Sequence, residues 1–511
     1  MNATEQIKTL ENRISELEKE NKLLLETVHH LSRKLYGRSS EKTSFLLRGQ
    51  MSLFDEAEAE ANPQAKEPDL DQVKSYQRKK FTGQRLELLK DLPHEKRLCT
   101  LVKEDQFCTT CNTALVSVGE EFVRTEVEYI PAKVNVIDFY RETFECRSCR
   151  KNGQPYMEKS PMPAPVIQHS MASPSAVAWV MHQKFVNALP LYRQEKEWMT
   201  LGLDLSRATM ANWIIAASRD WLTPIWKLMQ QKLLAEKHIH ADETPVQVMN
   251  EEGRKNTSDS YMWIYSTGKY AKRPIRLFEY QPGRKGAYPQ EFLNGFTGYL
   301  HTDAYAGYKK VDRITRCLCW SHLRRNFVDA LPKDIRGTDD TLAGQGINYC
   351  NKLFEIEKSL DNLSQEERKS ARLKQEVPLL EAFWSWAEST RDKVLPKSKL
   401  GEALSYALNH RIELMNYLED GNCSISNNLA ENCIRPFTIG RKNWLFSGSP
   451  KGATASAIVY SMVESAKANG LNPYKYLRYI FSELPGVQFI QHPEFLEDYL
   501  PWSPEVQKAC M

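Results

Sequence analysis

Two aspartates lie in segments predicted to form apolar strands, and the fold is expected to bring their side chains together. Asp242 lies in HIHADETPVQV, where it shares a strand face with His240 and alternates with apolar neighbours. Asp303 ends the predicted strand in GYLHTDAYAGY, on the face of Tyr299 and His301. A carboxylate in an apolar strand is costly unless its charge is compensated, and two neighbouring carboxylates repel each other. The pattern therefore predicts a site for a hard divalent cation, Mg²⁺ or Mn²⁺, with oxygen ligands.

A third carboxylate is Glu431, in the segment SNNLAENCIRPFTIGRKNWLFSGS. Residues 427–434 are expected to form one helix that Pro436 ends. On this helix Asn428, Glu431 and Arg435 share a face, which would direct an amide, a carboxylate and a guanidinium into one site. The chain has 65 acidic residues, so the spacing of three of them is weak evidence by itself.

Basic residues cluster near these acids. Arg441, Lys442 and Trp444 follow the predicted helix and could bind a DNA strand by charge and stacking. Residues 309–325 contain one acid, Asp312, and six bases: Lys309, Lys310, Arg313, Arg316, Arg324 and Arg325. Such patches suit a phosphate backbone, with a solvated basic face as the alternative, whereas the net charge of +4 says little.

This set of residues favours metal-assisted phosphoryl transfer. The sequence contains no evident nucleophile paired with a base and no Walker-type phosphate loop. Two ions would serve such a reaction, one for the attacking water or DNA 3′-hydroxyl and one for the leaving oxygen.

The segment that carries the two aspartates predicts an α/β domain. From about residue 237 the pattern gives three strands, a short helix, a fourth strand, a helical piece and a fifth strand. That is the element order of a ribonuclease-H-like fold. Residues 340–420 are charged and predicted to be helical, as in LFEIEKSLDNLSQEERKSARLKQE.

Four of the eleven cysteines form two Cys-x-x-Cys pairs, Cys108/Cys111 and Cys146/Cys149. The 34 residues between the pairs include a stretch, 122–146, that alternates as β-strands do. Two such pairs across a hairpin predict one structural Zn²⁺ with four thiolate ligands and no open position for chemistry. The alternatives are a redox pair or inert buried cysteines.

The N-terminus carries a heptad pattern from Ile7 to Leu35 with Asn21 at an a position. β-branched a residues with leucine at d predict a parallel coiled-coil dimer, and the alternative is one amphipathic helix packed on its own chain. The acidic, proline-interrupted residues 55–72 are typical of a linker.

A helix–turn–helix is predicted beyond the cysteine pairs. A first helix begins at Ser173 and Pro174 and extends to Phe185; a later helical pair turns at Gly202, with Ser206 as the second N-cap. An ordinary helical pair is the alternative. At the exposed start of the second helix, four residues remain for DNA contact: Ser206, Arg207, Thr209 and Asn212.

The sequence thus predicts a multidomain α/β protein with a ribonuclease-H-like catalytic core, and the family resemblance of its motifs implies that this core contains a helical insertion. A coiled coil, a zinc-ribbon module and a helix-turn-helix-like domain precede it. The expected division is coiled coil 1–37, linker 38–90, zinc-binding module 91–160, DNA-binding helical domain 161–235, first part of the core 236–330, insertion 331–422, glutamate helix 423–470 and helical tail 471–511.

Several motifs together resemble the insertion-sequence 66 family of bacterial transposases over nearly the whole chain. They are LYGRSSEK, the two cysteine pairs, HADET at 240–244, HTDAYAGY at 301–308, CWSHLRRNF at 319–327 and NNLAENCIRPFTIGRKNWLFSGS at 427–449. The resemblance implies an acid triad, matched by Asp242, Asp303 and Glu431. It also implies a Cys-x-x-His element, matched by Cys319 and His322, for which active-site support or packing is expected in preference to a second zinc site.

The expected function is that of a transposase that binds the terminal inverted repeats of a mobile element, cleaves there and transfers the strands to target DNA. The expected partners are DNA, a second copy of the chain and accessory proteins of the element. No apolar stretch of membrane length or signal core occurs, so a bacterial cytoplasmic protein is expected. A nuclease or resolvase that never joins DNA and a non-enzymatic DNA-binding regulator are the alternatives.

Overall fold

The structure is a computed structural model that describes residues 114, 133–153, 156–331 and 341–511. The predicted coiled coil at 1–37, the linker at 38–90, Cys108 and Cys111 lie outside the described residues, as does the side chain of Cys149. From Val134 onward the described residues belong to one compact unit.

The second cysteine pair lies beside a small hairpin. Strand β1 (Thr143–Glu145) pairs antiparallel with β2 (Met157–Lys159), and helix α1 (Arg147–Lys151) lies between them in sequence. The strand prediction is wrong for residues 133–142, which have no regular structure. Their apolar side chains are exposed, so the alternating pattern has no core on which to pack a strand face.

The helical domain begins as predicted. Helix α2 (Pro174–Phe185) starts at the N-cap Ser173, whose hydroxyl accepts a hydrogen bond from the Ala176 N–H at 3.2 Å. Helices α3 (Leu191–Thr200) and α4 (Arg207–Ala217) follow.

The predicted turn and cap between α3 and α4 are confirmed. Gly202 has a φ of +90°, a conformation that favours glycine, and the Ser206 hydroxyl accepts from the Thr209 N–H at 3.1 Å. A π-helical turn, Ser218–Leu222, then leads into α5 (Thr223–Leu234).

A six-stranded mixed sheet forms the centre of the described chain. Its strands are β3 (His238–Val248), β4 (Asp259–Thr267), β5 (Arg276–Gln281), β6 (Gly298–Thr302), β7 (Ile314–Leu318) and β8 (Phe446–Ser447).

The strand order is β5-β4-β3-β6-β7, and β8 pairs with the far end of β3. The first three strands are antiparallel to one another, whereas β6 and β7 run parallel to β3. Helix α6 (Ala287–Phe292) connects β5 to β6, and a 3₁₀ turn (Ala306–Lys310) precedes β7. The predicted order of strands and helical pieces is confirmed.

Residues between β7 and the glutamate are helical, as the sequence predicts. Helix α7 (Trp320–Asp329) leaves the sheet, and four more helices follow: α8 (Leu342–Ser359), α9 (Gln365–Arg391), α10 (Lys399–Asn409) and α11 (Arg411–Met415). They have their own apolar core, in which Trp320 packs edge-on against Phe383 and close to Trp384.

Helix α12 (Asn428–Trp444) carries Glu431 and continues beyond Pro436, so the prediction that this proline ends the helix is wrong. The proline lacks an N–H and costs an interior helix about 3 kcal/mol. One face of α12 nevertheless stays buried on both sides of Pro436. Its five small or apolar residues are Ala430, Cys433, Ile434, Phe437 and Gly440. Burying one large apolar side chain contributes about 1.5–3 kcal/mol, so packing against β3 and β4 outweighs the missing hydrogen bond.

Three further helices complete the chain: α13 (Pro450–Ala468), α14 (Pro473–Glu483) and α15 (Pro504–Cys510). Helix α13 packs along β5 and is almost fully buried. Within the described residues, no helix combines the length and the apolar character that crossing a bilayer requires.

Candidate active site

Asp242 and Asp303 lie at corresponding positions on two parallel neighbours. His240 on β3 is directly opposite His301 on β6, and each aspartate follows its histidine by two residues. Adjacent strands are about 4.8 Å apart, so this register brings the two carboxylates to one edge of the sheet. Asp303 comes just after the strand, where its Oδ1 accepts from the Tyr305 N–H at 2.9 Å and turns the chain.

Glu431 reaches the same edge because Asn427, at the N-cap of α12, is bound to β3. The Asn427 side chain donates to the Ala241 carbonyl at 2.8 Å, and its Oδ1 lies 3.0 Å from Nδ1 of His240. Its backbone N–H donates to the Cys319 sulfur at 3.1 Å, and the residue is only 1% exposed. The helix that carries Glu431 therefore begins directly beside the strand that carries Asp242.

The segment before α12 makes further contacts with the sheet. The Ser424 N–H donates to Nε2 of His301 at 2.9 Å, and the Trp320 N–H donates to the Ile425 carbonyl at 3.1 Å. The segment that follows the helical insertion is thus hydrogen-bonded to β6 and to the first residue of α7, shortly before Glu431.

The electrostatics of Asp242 reflect this convergence. Burial, together with the neighbouring carboxylates of Glu243, Asp303 and Glu431, raises the pKa of Asp242 to about 8. Glu431 Oε1 is buried and has no hydrogen-bond partner among the described residues. Three converging carboxylates offer the oxygen donors that Mg²⁺ or Mn²⁺ prefers.

Glu243, on the other face of β3, binds a residue that sequence reasoning missed. Its Oε1 lies 2.5 Å from Nη2 of Arg284, and its Oε2 accepts from the Tyr308 hydroxyl at 2.5 Å. Arg284 also lies 3.8 Å from Asp303 Oδ2, and its guanidinium stacks over the Tyr305 ring at 4.0 Å. The residue lies in the loop after β5, where no motif distinguishes it, so only the fold reveals its place.

Cys319 and His322 lie against Glu431. His322 Nδ1 is 3.8 Å from Glu431 Oε1, and Arg325 Nη2 is 3.8 Å from Oε2. One ligand atom from each of Cys319, His322 and Glu431 lies within 4.8 Å of the others. The Cys-x-x-His element therefore contacts the third acid directly.

The residues suggested for DNA contact in the helical domain lie at the start of α4. Arg207 and Asn212 are exposed. Ser206 and Thr209 are half-buried, and their hydroxyls lie 2.9 Å apart within the helix cap.

The basic stretch at 309–325 is divided between surface and interior. Arg316 is 7% exposed and donates to the Thr302 hydroxyl and the Asp303 carbonyl, so its assignment to a phosphate-binding patch is wrong. Arg324 Nε donates to Asn351 at 2.7 Å, whereas Arg325 is exposed beside Glu431.

On α12, Asn428, Arg435 and Lys442 are exposed. Arg441 Nη1 lies 3.2 Å from the Thr244 hydroxyl. Trp444 is half-buried, with Nζ of Lys184 4.3 Å from its ring centroid, so part of this ring already has a cationic neighbour.

Comparison with protein-family models agrees with the resemblance read from the motifs. Residues 169–455 match the model described as Transposase IS66 family, and residues 105–150 match the zinc-finger binding domain of transposase IS66. Residues 461–502 match the IS66 C-terminal element, and residues 23–97 match a model described as Transposase C of IS166 homeodomain.

Relatives occur in Sinorhizobium fredii. The uncharacterized protein y4hP is 27% identical over 501 residues, which cover 93% of this chain and 87% of y4hP. The uncharacterized protein y4jD is 27% identical over 78% of each chain. Among solved structures, the Drosophila P element transposase strand transfer complex is similar at 12% identity and a TM-score of 0.36, over 62% of this chain and 96% of that one.

Proposed function

The chain belongs to the IS66 family of transposases, and from that premise we propose that Asp242, Asp303 and Glu431 are the acid triad of a DDE-type enzyme that binds two divalent cations, Mg²⁺ or Mn²⁺. One observation carries the proposal. Asp242 and Asp303 follow directly opposed residues of two parallel neighbouring strands, and Asn427, which begins the helix of Glu431, donates to the carbonyl of Ala241 beside Asp242.

We assign the sheet and its helices to the ribonuclease-H-like fold. The support is the strand order β5-β4-β3-β6-β7, with three antiparallel strands followed by two parallel ones. In this arrangement the first and fourth strands of the domain are neighbours, so their acids meet although 60 residues separate them in sequence.

The proposed reaction hydrolyses a phosphodiester at each end of a mobile element and joins the exposed 3′-hydroxyls to target DNA. Bound cations would activate the attacking oxygen and stabilise the leaving one. The chain's own residues orient the acids: Asn427 fixes the start of α12, and Glu243 holds Arg284 beside Asp303. Arg284, Arg325 and Arg435 supply positive charge next to the acids, where a DNA phosphate would lie.

The other parts of the chain have supporting roles in this proposal. Cys108, Cys111, Cys146 and Cys149 offer the four-thiolate donor set of a structural Zn²⁺. The residues at 7–35 dimerise the protein so that two element ends are held together. Element DNA is contacted by residues of the helical domain and of α12, including the exposed Arg207, Asn212 and Lys442 and the half-buried Arg441. Accessory proteins of the same element are further candidate partners.

The test uses the full-length protein, Mg²⁺, labelled DNA from the element's ends and a target plasmid. The protein should nick the ends and join them to the target, and Asp242→Asn, Asp303→Asn and Glu431→Gln should each abolish both steps while end binding persists. Asp259→Asn, at an exposed acid that begins β4, is the matched control and should remain active. Cleavage without joined product would assign a nuclease, and activity in the triad variants would overturn the proposal.

A further inference from the structure

A second group of metal-ligating side chains is buried in the same sheet, apart from the three acids. One ligand atom from each of His301, Cys317 and Cys423 lies within 4.8 Å of the other two. All three residues are at most 1% exposed. No step of the proposed phosphoryl transfer uses them.

The fold brings these residues together from three separate segments. His301 on β6 is directly opposite Cys317 on β7. Cys423 lies beyond the helical insertion, next to Ser424, whose N–H donates to His301. The three side chains meet because the fold brings β6, β7 and the segment before α12 together.

A fourth candidate ligand lies alongside. His238 on β3 is buried, stacks on Tyr299 at 5.4 Å and lies beside Cys423. Its Nε2 is 3.3 Å from Asp420 Oδ1.

Asp420 is itself oriented from several sides. It accepts from Lys237 Nζ at 3.1 Å, from the Asn422 N–H at 2.8 Å and from the Gln365 amide. A carboxylate that orients the far nitrogen of a metal-binding histidine is the usual outer layer of a zinc site.

We propose that Cys317, Cys423 and His301 bind a structural Zn²⁺ with His238 as the fourth ligand. Two thiolates and two imidazoles form one of the common tetrahedral zinc donor sets, and this set disfavours Mg²⁺, which prefers oxygen. Zn–S bonds of about 2.3 Å and Zn–N bonds of about 2.0 Å suit His301, Cys317 and Cys423, whose ligand atoms lie within 4.8 Å of one another, and the side chain of His238 would turn toward them.

Two features of the surroundings suit metal uptake. A pocket of about 300 Å³ reaches His238 and is lined also by Gln365 and Asn422, the residue before Cys423. Burial raises the pKa of the Cys423 thiol, so this residue releases a proton to solvent when zinc binds. An ion bound to Nε2 of His301 would take the place of the Ser424 N–H, which donates to this nitrogen at 2.9 Å.

The site would connect the segments that carry the three acids. His301 precedes Asp303 by two residues, His238 precedes Asp242 by four, and Cys423 precedes Glu431 by eight. Zinc here would fix β3, β6 and the segment leading into α12 relative to one another. The zinc site does not depend on the proposed catalytic function, and its test reads metal content instead of activity.

The experiment measures zinc per chain in the purified, dialysed full-length protein by plasma mass spectrometry. The parent should hold two zinc ions, one in the Cys-x-x-Cys module and one at the new site. Cys317→Ser with Cys423→Ser should hold one, and Cys108→Ser with Cys111→Ser should also hold one. Cys350→Ser is the matched control, because Cys350 is equally buried but lies in the core of the insertion, and it should hold two.

Circular dichroism and gel filtration establish that each variant is folded. If the Cys317/Cys423 variant does not fold, the Cys108/Cys111 variant decides. One retained zinc that exchanges for Co²⁺ and gives a thiolate-to-cobalt absorption band supports the site. A folded Cys108/Cys111 variant without zinc, or a parent with a single zinc that the folded Cys317/Cys423 variant keeps, overturns the proposal.

Discussion

The raised pKa of Asp242 predicts that the acid site destabilises the metal-free protein as the pH rises. The folded-state pKa of about 8 compares with the ordinary aspartate value of 3.8. Between these values the folded chain keeps a proton that the unfolded chain releases, so the free energy of unfolding falls with increasing pH. The stabilising effect of the bound proton is complete below about pH 4 and is lost progressively up to about pH 8.

The size of the effect follows from the same shift. One pH unit within this window corresponds to at most about 1.4 kcal/mol. From pH 5.5 to pH 7.5 the loss would reach about 2.7 kcal/mol, and solvent screening of the partly exposed site reduces it to roughly 1–2 kcal/mol. Asp242→Asn removes the titrating group. The free energy of unfolding of Asp242→Asn relative to the parent should therefore rise by this amount between pH 5.5 and pH 7.5.

The assay is urea denaturation of the parent, Asp242→Asn and the exposed control Asp259→Asn at both pH values, without and with Mg²⁺. Adding Mg²⁺ at pH 7.5 should stabilise the parent more than Asp242→Asn, because the cation displaces the proton from Asp242. A stability difference between parent and Asp242→Asn that does not change with pH would refute the argument that buried, converging carboxylates set the pKa of Asp242.

Three further substitutions test the parts that position the acids. Arg284→Ala removes the charged partner of Glu243 beside Asp303 and should lower the turnover number about 10-fold or more, with little change in end binding. The turnover number of Arg284→Lys should be intermediate. A turnover number equal to the parent's in steady-state cleavage would contradict this. Asn427→Ala leaves His240 and the Ala241 carbonyl unpaired and should lower the free energy of unfolding by about 2–4 kcal/mol in urea; an unchanged midpoint would contradict it. Pro436→Ala restores an N–H inside α12 and should raise stability by about 1 kcal/mol or more; a loss of stability would show that the proline ring contributes packing.

The sequence predicted the order of strands and helical pieces along the chain well because the local patterns there are strong. The strand with Asp242 alternates clearly, and the segment around Asp303 ends in a residue whose side chain turns the chain. The turn and the helix cap between α3 and α4 were equally predictable, since Gly202 and Ser206 have local roles that their residue types determine. Family motifs, not spacing, selected the three acids from 65.

Other features depend on contacts between distant segments and have no local signal. Pro436 normally ends a helix, and only the buried face of α12 reveals why this helix continues. Arg316 has the residue type of a phosphate ligand, but the turn after β6 encloses it. Arg284 and the His301/Cys317/Cys423 group appear only when loops and strands far apart in sequence are brought together.

The central claim is that Asp242, Asp303 and Glu431 bind the same divalent cations. Iron-mediated protein cleavage tests it most directly: Fe²⁺ replaces Mg²⁺ in the full-length protein, ascorbate and peroxide generate hydroxyl radicals at the ion, and the fragments are mapped by mass spectrometry. Backbone cuts should fall near residues 242, 303 and 431, and excess Mg²⁺ should suppress all three together. Cuts near the two aspartates without a cut near 431 would contradict the shared site.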